Sequence, residues 1–154
     1  MPNESPPGLS PAEIQTLTRV AAVMVPADTT LAVPSAGDPA IIADMVGSLG
    51  RDRADVSAAL AALDAMAGGS FAAITDDARA EAMAIAFLAR EGRPATILGR
   101  VVLQCYYRDD RVIRSLGLEP RPPFPKGHTL EQGDWSLLDG VRTRAPFWRD
   151  DRRA

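Results

Sequence analysis

Alanine is concentrated in one part of this chain, and that concentration limits the folds open to it. Between positions 54 and 89, 15 of 36 residues are alanine. Alanine has the highest helix propensity of any residue, and its small side chain lets neighbouring helices approach closely. No stretch of the chain shows the sustained alternation of apolar and polar residues that is typical of strands. The sequence therefore predicts an all-α fold with a single compact helical bundle.

Capping residues, prolines and glycines mark the predicted helix boundaries. Ser10 and Asp38 have side chains that can cap a helix N-terminus. Each is followed by a proline, Pro11 or Pro39, which lacks a backbone N–H and therefore fits the first helical position. Apolar spacing predicts about five to six helices, at 11–25, 39–50, 51–67, 75–91, 94–107 and 109–116, and one or two helical turns at 134–142. In the fourth helix, the residues expected to face the core are Ala78, Ala82, Ile85, Phe87 and Leu88.

The rest of the chain lacks such periodicity. Residues 1–10 are rich in Pro, Ser and Asn and predict a flexible arm, whereas residues 11–117 form the bundle. In the loop at 27–37, we expect Leu31 and Val33 to pack back onto the core. Residues 118–154 are predicted to form an extended strap that packs on the bundle and on a partner. Within it, the sequence EPRPPFPKG predicts extended, polyproline-like chain, because its prolines cannot donate backbone hydrogen bonds.

Charge and length exclude several classes of partner. The formal net charge is −3 and the sequence pI is near 5.1, so no global basic field is available to bind nucleic acid. No run of about 18 apolar residues occurs, so we expect no direct membrane insertion. The 154 residues, of which 46% are hydrophobic, are sufficient for one domain with a buried core.

Few side chains suit catalysis or metal binding. His128 is the only histidine and Cys105 the only cysteine, which excludes an internal disulfide and a cluster of thiolate ligands. His128 lies in a Pro- and Gly-rich loop, where a surface or interface role is the simpler interpretation. Cys105 falls on the apolar face of the fifth helix, which predicts a buried, unreactive thiol. Acidic pairs at 76–77 and 109–110 stand where helices begin, and there they interact favourably with the helix dipole. We therefore expect no catalytic, cofactor-binding or metal-binding residue in this chain.

Aromatic residues point instead to binding. Six of the eight lie in the last third, among prolines and arginines, and aromatic and Arg side chains supply most of the binding energy at protein interfaces. The predicted partner-binding residues are Tyr106, Tyr107, Phe124, Trp135, Leu138, Arg142, Arg144, Phe147 and Trp148. We expect the inward-facing apolar residues of this region to be Tyr106, Tyr107 and Leu137. The outward-facing ones are expected to be Phe124, Phe147 and Trp148.

An ordered series of short sequences in this region resembles a known family. The series comprises YRDDRV at 107–112, LG at 116–117, PPFPKG at 122–127 and DWSLLDGVRTRAP at 134–146, together with VPAD at 25–28. It is similar to the gluconate 2-dehydrogenase subunit 3 family. The resemblance covers most of the chain and is most specific in the C-terminal third.

The resemblance implies an accessory role. Members of this family are small, helical subunits without a cofactor, and they support folding, maturation and sometimes export of a large subunit. That partner is a flavoprotein of the glucose-methanol-choline type, which carries FAD and oxidises sugars, sugar acids or related alcohols. A cytochrome c subunit with haem c often completes the electron path. Two alternatives stay open, namely a helical adaptor with an unrelated partner and a stand-alone enzyme that uses His128.

Localisation departs from the family pattern. Many relatives begin with a twin-arginine export signal, whereas this chain begins MPNESPPGLS. We therefore expect a cytoplasmic protein as the sequence is written, with export to the periplasm together with a partner as the alternative.

Overall fold

The computed structural model describes residues 8–90, 92–145 and 147. Its seven α-helices are α1 (Pro11–Met24), α2 (Pro39–Ser48), α3 (Arg53–Ala67), α4 (Asp77–Arg90), α5 (Gly92–Tyr106), α6 (Asp110–Ser115) and α7 (Asp139–Arg142). Short 3₁₀ helices occur at Gly50–Asp52, Phe71–Ala73 and Trp135–Leu138. The described residues contain no strand, and their single β-bridge joins Asp28 to Val33. The predicted all-α fold is thus confirmed.

The chain divides into two compact units, Met1–Pro120 and Arg121–Ala154. The first unit contains α1–α6, and the second contains the last 3₁₀ helix and α7. Every buried residue of the described chain belongs to the first unit. Among the described residues, a hydrophobic core is therefore found in the first unit alone.

The core of the first unit forms where the apolar faces of the helices meet. Helix α1 packs against α2, α3 and α4, and α5 packs against the same three helices. The largest fully buried side chains include Phe71, Phe87, Leu17, Ile41 and Met45. Burial of side chains of this size contributes about 1.5–3 kcal/mol each, so these contacts dominate the stability of the unit.

The predicted helix caps are present. At the start of α1, the Ser10 hydroxyl accepts a hydrogen bond from the Glu13 N–H, while the Glu13 carboxylate accepts one from the Ser10 N–H. Asp38 caps α2 through the Ala40 N–H, and Gly68 ends α3 in the left-handed conformation with a φ of 69°. Glu13 also accepts a hydrogen bond from the Ser57 hydroxyl, and this contact is the main reason that its pKa is lowered.

A buried polar contact joins α1, α3 and the segment that follows α3. The Asp64 carboxylate oxygen Oδ1 accepts hydrogen bonds from the Thr16 hydroxyl at 2.9 Å and from the Phe71 N–H at 2.8 Å. Thr16 is fully buried, so water cannot accept a hydrogen bond from its hydroxyl, and Asp64 is the acceptor instead. This aspartate therefore satisfies two donors that the packing of the core removes from solvent.

Three predictions about burial in the first unit were wrong. In α4 the buried residues are Ala80, Ala84 and Phe87, while the predicted core residues Ile85 and Leu88 are exposed. The predicted inward alanines of α4, Ala78 and Ala82, are also exposed. In the loop after α1, Leu31 is exposed, because Asp28 turns the chain there by accepting hydrogen bonds from the Thr30 and Leu31 N–H groups, whereas Val33 is half-buried. Leu9, predicted to lie in the flexible arm, is buried in the core; residues 1–7 of that arm lie outside the described residues.

Candidate partner-binding site

The candidate site is the described part of the second unit, residues 121–145 and 147, which we call the C-terminal segment. From position 122 onward, every residue of this segment is exposed. Its exposed large apolar side chains are Phe124, Leu130, Trp135, Leu137, Leu138, Val141 and Phe147. These seven side chains are apolar surface that a bound protein would remove from water.

A closed turn begins the C-terminal segment. The Arg121 guanidinium donates a hydrogen bond to the Gly127 carbonyl at 2.7 Å and another to the Pro122 carbonyl at 3.2 Å. The Gly127 N–H in turn donates to the Pro123 carbonyl. Gly127 has a φ of 68°, a left-handed conformation that glycine adopts without a steric cost. The prediction of extended polyproline-like chain was therefore wrong at 121–127, because a side chain supplies the donors that the prolines lack.

Phe124 lies at the tip of this turn. Its side chain is 84% exposed, and the two carbonyls held by Arg121 lie on either side of it in the sequence. The turn therefore fixes the backbone that carries an aromatic side chain pointing into solvent.

The helical part of the segment also begins with a side-chain cap. Asp134 accepts hydrogen bonds from the Ser136 hydroxyl at 2.6 Å and from the Ser136 N–H at 3.0 Å, and these bonds lower its pKa. The cap precedes the 3₁₀ helix Trp135–Leu138, which leads directly into α7. In α7, Arg142 forms an ion pair with Asp139 at 3.2 Å. Trp135, Leu138 and Arg142 thus lie on one short, capped helical stretch, as the sequence predicted.

The two tyrosines of the predicted site belong to the first unit. Tyr106 ends α5 and is buried, whereas Tyr107 is exposed, and their rings meet edge to face with centroids 5.2 Å apart. Burial raises the pKa of Tyr106, and the nearby Tyr107, Asp109 and Asp28 act in the same direction. Tyr106 therefore has a structural position in the core. The expectation that Tyr107 and Leu137 face inward was wrong, because both side chains are exposed.

The charged residues of the YRDDRV sequence join helices of the first unit. Arg111 contacts Asp38, the N-cap of α2, through Nη1 at 3.0 Å and Nη2 at 2.9 Å. It also contacts Asp109, the N-cap of α6, through Nε and Nη2, both at 2.9 Å. These bonds lower the pKa of both carboxyl groups and raise that of Arg111. A third ion pair joins Arg108 to Asp44 of α2.

The candidate reactive groups have ordinary surroundings. Cys105 is buried, burial raises the pKa of its thiol, and its sulfur lies 3.5 Å from the Ser48 hydroxyl. The prediction of a buried thiol is thus confirmed. His128 is exposed, as expected. In the acidic pairs, Asp76 accepts from the Ala78 and Arg79 N–H groups, and Asp109 accepts from the Arg111 N–H, so both act as helix caps.

The predicted site residues do not form one cluster within either unit. Tyr106 and Tyr107 contact each other in the first unit, whereas Phe124 and the remaining described candidates belong to the second. Arg144 and Phe147 are exposed near the end of the described chain, and Trp148 lies outside the described residues. Sequence reasoning missed Arg121, whose side chain reaches a carbonyl six residues away, a contact for which the sequence carries no periodic signal.

Two further observations concern the part of the chain that the structure describes. No helix in it has both the length and the apolar character needed to cross a bilayer. No group of three or more His, Cys, Asp or Glu side chains in it is arranged to hold a metal ion.

In comparisons with known proteins, no family model, no curated protein and no solved structure matches this chain.

Proposed function

We propose that this chain is the non-catalytic small subunit of an FAD-dependent dehydrogenase of the glucose-methanol-choline type. Its partner, the large subunit, would bind FAD and oxidise a sugar, a sugar acid or a related alcohol. The chain would support the folding, maturation and stability of that subunit. The observation that carries this proposal is the C-terminal segment, in which exposed aromatic and arginine residues recur and none of the described residues is buried.

The choice of partner rests on the order of residues. The sequences YRDDRV, PPFPKG and DWSLLDGVRTRAP follow one another in an order that resembles the gluconate 2-dehydrogenase subunit 3 family. Two of them coincide with local structure that a partner-binding segment needs. PPFPKG forms the Arg121-closed turn, and the aspartate of DWSLL caps the helical stretch with Trp135. A segment that is ordered before binding loses less conformational entropy when it binds.

The remaining parts of the proposal follow from that partner. FAD would reside in the large subunit, and a cytochrome c subunit with haem c would take the electrons onward. The complex would be cytoplasmic or, as the alternative, exported to the periplasm.

The test begins with the genes that neighbour the gene of this chain, among which we expect one for a glucose-methanol-choline flavoprotein, and it continues with co-expression of that flavoprotein and this chain. We expect a complex of defined stoichiometry in size-exclusion chromatography with light scattering. We also expect a higher yield of FAD-loaded, active flavoprotein than from expression without this chain. Trp135→Ala is the site variant, and Leu88→Ala is the matched control, because both side chains are large, apolar and more than half exposed. Trp135→Ala should lower complex yield, and Leu88→Ala should leave it unchanged.

Two results would contradict the proposal. One is a flavoprotein that folds, loads FAD and oxidises its substrate equally well without this chain and never associates with it. The other is dehydrogenase activity of this chain alone without flavin, which would favour the stand-alone enzyme that uses His128. The C-terminal segment itself also suits a helical adaptor, and stable association with an unrelated protein in place of the flavoprotein would favour that function.

A further inference from the structure

The turn at 121–127 differs from the rest of the C-terminal segment in how it is held. Within its seven residues, one guanidinium reaches two backbone carbonyls and one backbone hydrogen bond closes the chain. These bonds form between residues of the turn itself. Its conformation is therefore set before any partner arrives.

Phe124 is the one large apolar side chain within this turn. Prolines precede and follow it, and they restrict the backbone further. Phe124 is 84% exposed, so its apolar surface is removed from water only when another surface covers it. A protruding ring on a fixed backbone fits a concave apolar pocket, because little conformational entropy is lost when the ring enters.

The charge around the turn indicates what borders that pocket. Within the turn itself, residues 121–127, the charged residues are Arg121 and Lys126, while Glu119 and Glu131 lie just outside it. Lys126 is exposed two positions after Phe124. A surface that receives the ring would therefore gain from carboxylates at its rim, where they would face this lysine.

We propose that Phe124 is an interface anchor that inserts into an apolar pocket with an acidic rim on the large subunit. Arg121 is the positioning residue that holds the turn in its binding conformation. This inference rests on the proposed function, since that function supplies the partner. It assigns to Arg121 a role that does not require contact with the partner.

A double-mutant cycle on the full chain separates the two roles. Affinity for the purified flavoprotein is measured for wild type, Phe124→Ala, Arg121→Met and the double variant. We expect Phe124→Ala to weaken binding about 30-fold, which is typical of a buried aromatic anchor. Arg121→Met should weaken it about fivefold in the wild-type background and less than about twofold once Phe124 is absent. The matched control is Leu88→Ala, which truncates a large apolar residue that is more than half exposed but lies in the first unit, outside the candidate site, and it should bind as wild type does.

Two readouts check the physical basis. In the free chain, the Gly127 N–H should exchange with solvent faster in Arg121→Met than in wild type, since the turn that it closes has lost its guanidinium. Lys126→Glu should weaken binding more than Lys126→Gln does, because it places a carboxylate against an acidic rim.

Each failure has its own meaning. If the wild-type chain forms no complex with the flavoprotein, the proposed function is overturned together with this inference. If the complex forms and Phe124→Ala binds as tightly as Leu88→Ala does, only the anchor is overturned. If Arg121→Met weakens binding by the same factor with and without Phe124, the positioning role is overturned, because the arginine then acts independently of the ring.

Discussion

Arg111 offers the sharpest test of how the first unit is held together. Its guanidinium makes four hydrogen bonds of 2.9–3.0 Å, two to Asp38 and two to Asp109. Each aspartate is also the N-cap of a helix, α2 or α6. Replacing Arg111 by Gln removes the charge that orients both caps while it keeps a polar side chain at the surface. We expect this single change to loosen the starts of two helices that are distant in the sequence.

The size of the effect follows from geometry and exposure. Exposed ion pairs contribute about 0.2–1 kcal/mol each, and bidentate contacts lie at the upper end of that range. The Arg111 side chain is 44% exposed, which keeps solvent screening strong, whereas Asp38 and Asp109 are 24% and 16% exposed. With two such partners, Arg111→Gln should lower the free energy of unfolding by about 1–2 kcal/mol at neutral pH.

The pH dependence has a definite sign. Arg111 lowers the folded-state pKa of Asp38 and of Asp109 below the ordinary carboxyl value. The stabilisation is therefore present above the unfolded-state pKa, about 3.9, and is lost as the pH falls through the folded-state values. The difference in stability between wild type and Arg111→Gln should consequently be full at neutral pH. It should shrink below about pH 4 and vanish in stronger acid.

Urea unfolding followed by circular dichroism over this pH range measures the effect. The control is Arg114→Gln on the same helix, since Arg114 pairs with Asp110 alone at 3.0 Å and both side chains are about 60% exposed. That variant should lose no more than about 0.5 kcal/mol. A stability difference for Arg111→Gln that is independent of pH, or no larger than that of the control, would refute the reasoning.

Two further predictions concern packing in the first unit. A Cβ on Gly37 would lie 2.9 Å from the Ala22 Cβ, so Gly37→Ala should lower the free energy of unfolding by about 1–3 kcal/mol. Gly47 lies in α2 with open space around it, so Gly47→Ala should raise the free energy of unfolding by about 0.5–1 kcal/mol. Thermal or urea unfolding measures both. Equal effects of the two alanines would contradict this close approach. Asp64→Ala leaves the buried Thr16 hydroxyl without its acceptor and should cost about 1–3 kcal/mol, and an unchanged midpoint in urea would show that the acceptor is dispensable.

Local chemistry made the helix ends predictable. Ser10, Asp38 and Asp134 cap the helices that follow them, and Gly68 ends α3, because caps depend on residues that are neighbours in the sequence. The turn at 121–127 escaped prediction for the opposite reason. Its main donor is the side chain of Arg121, which reaches a carbonyl six residues away, and no periodic pattern records such a bond.

Helix α4 shows why the existence of a helix is easier to predict than the face that it buries. At about 100° per residue, Ile85 and Phe87 point roughly 200° apart, so one helix face cannot bury both. Alanine occurs at 78, 80, 82, 84, 86 and 89, which leaves apolar residues on both sides of the helix and makes the periodicity ambiguous. The structure buries Phe87 with Ala80 and Ala84 and exposes Ile85, because the larger ring gains more from leaving water and the small alanines beside it allow close packing. The packing of α1, α3 and α5 against α4 therefore determines which face is buried, and the sequence of α4 alone does not predict that packing.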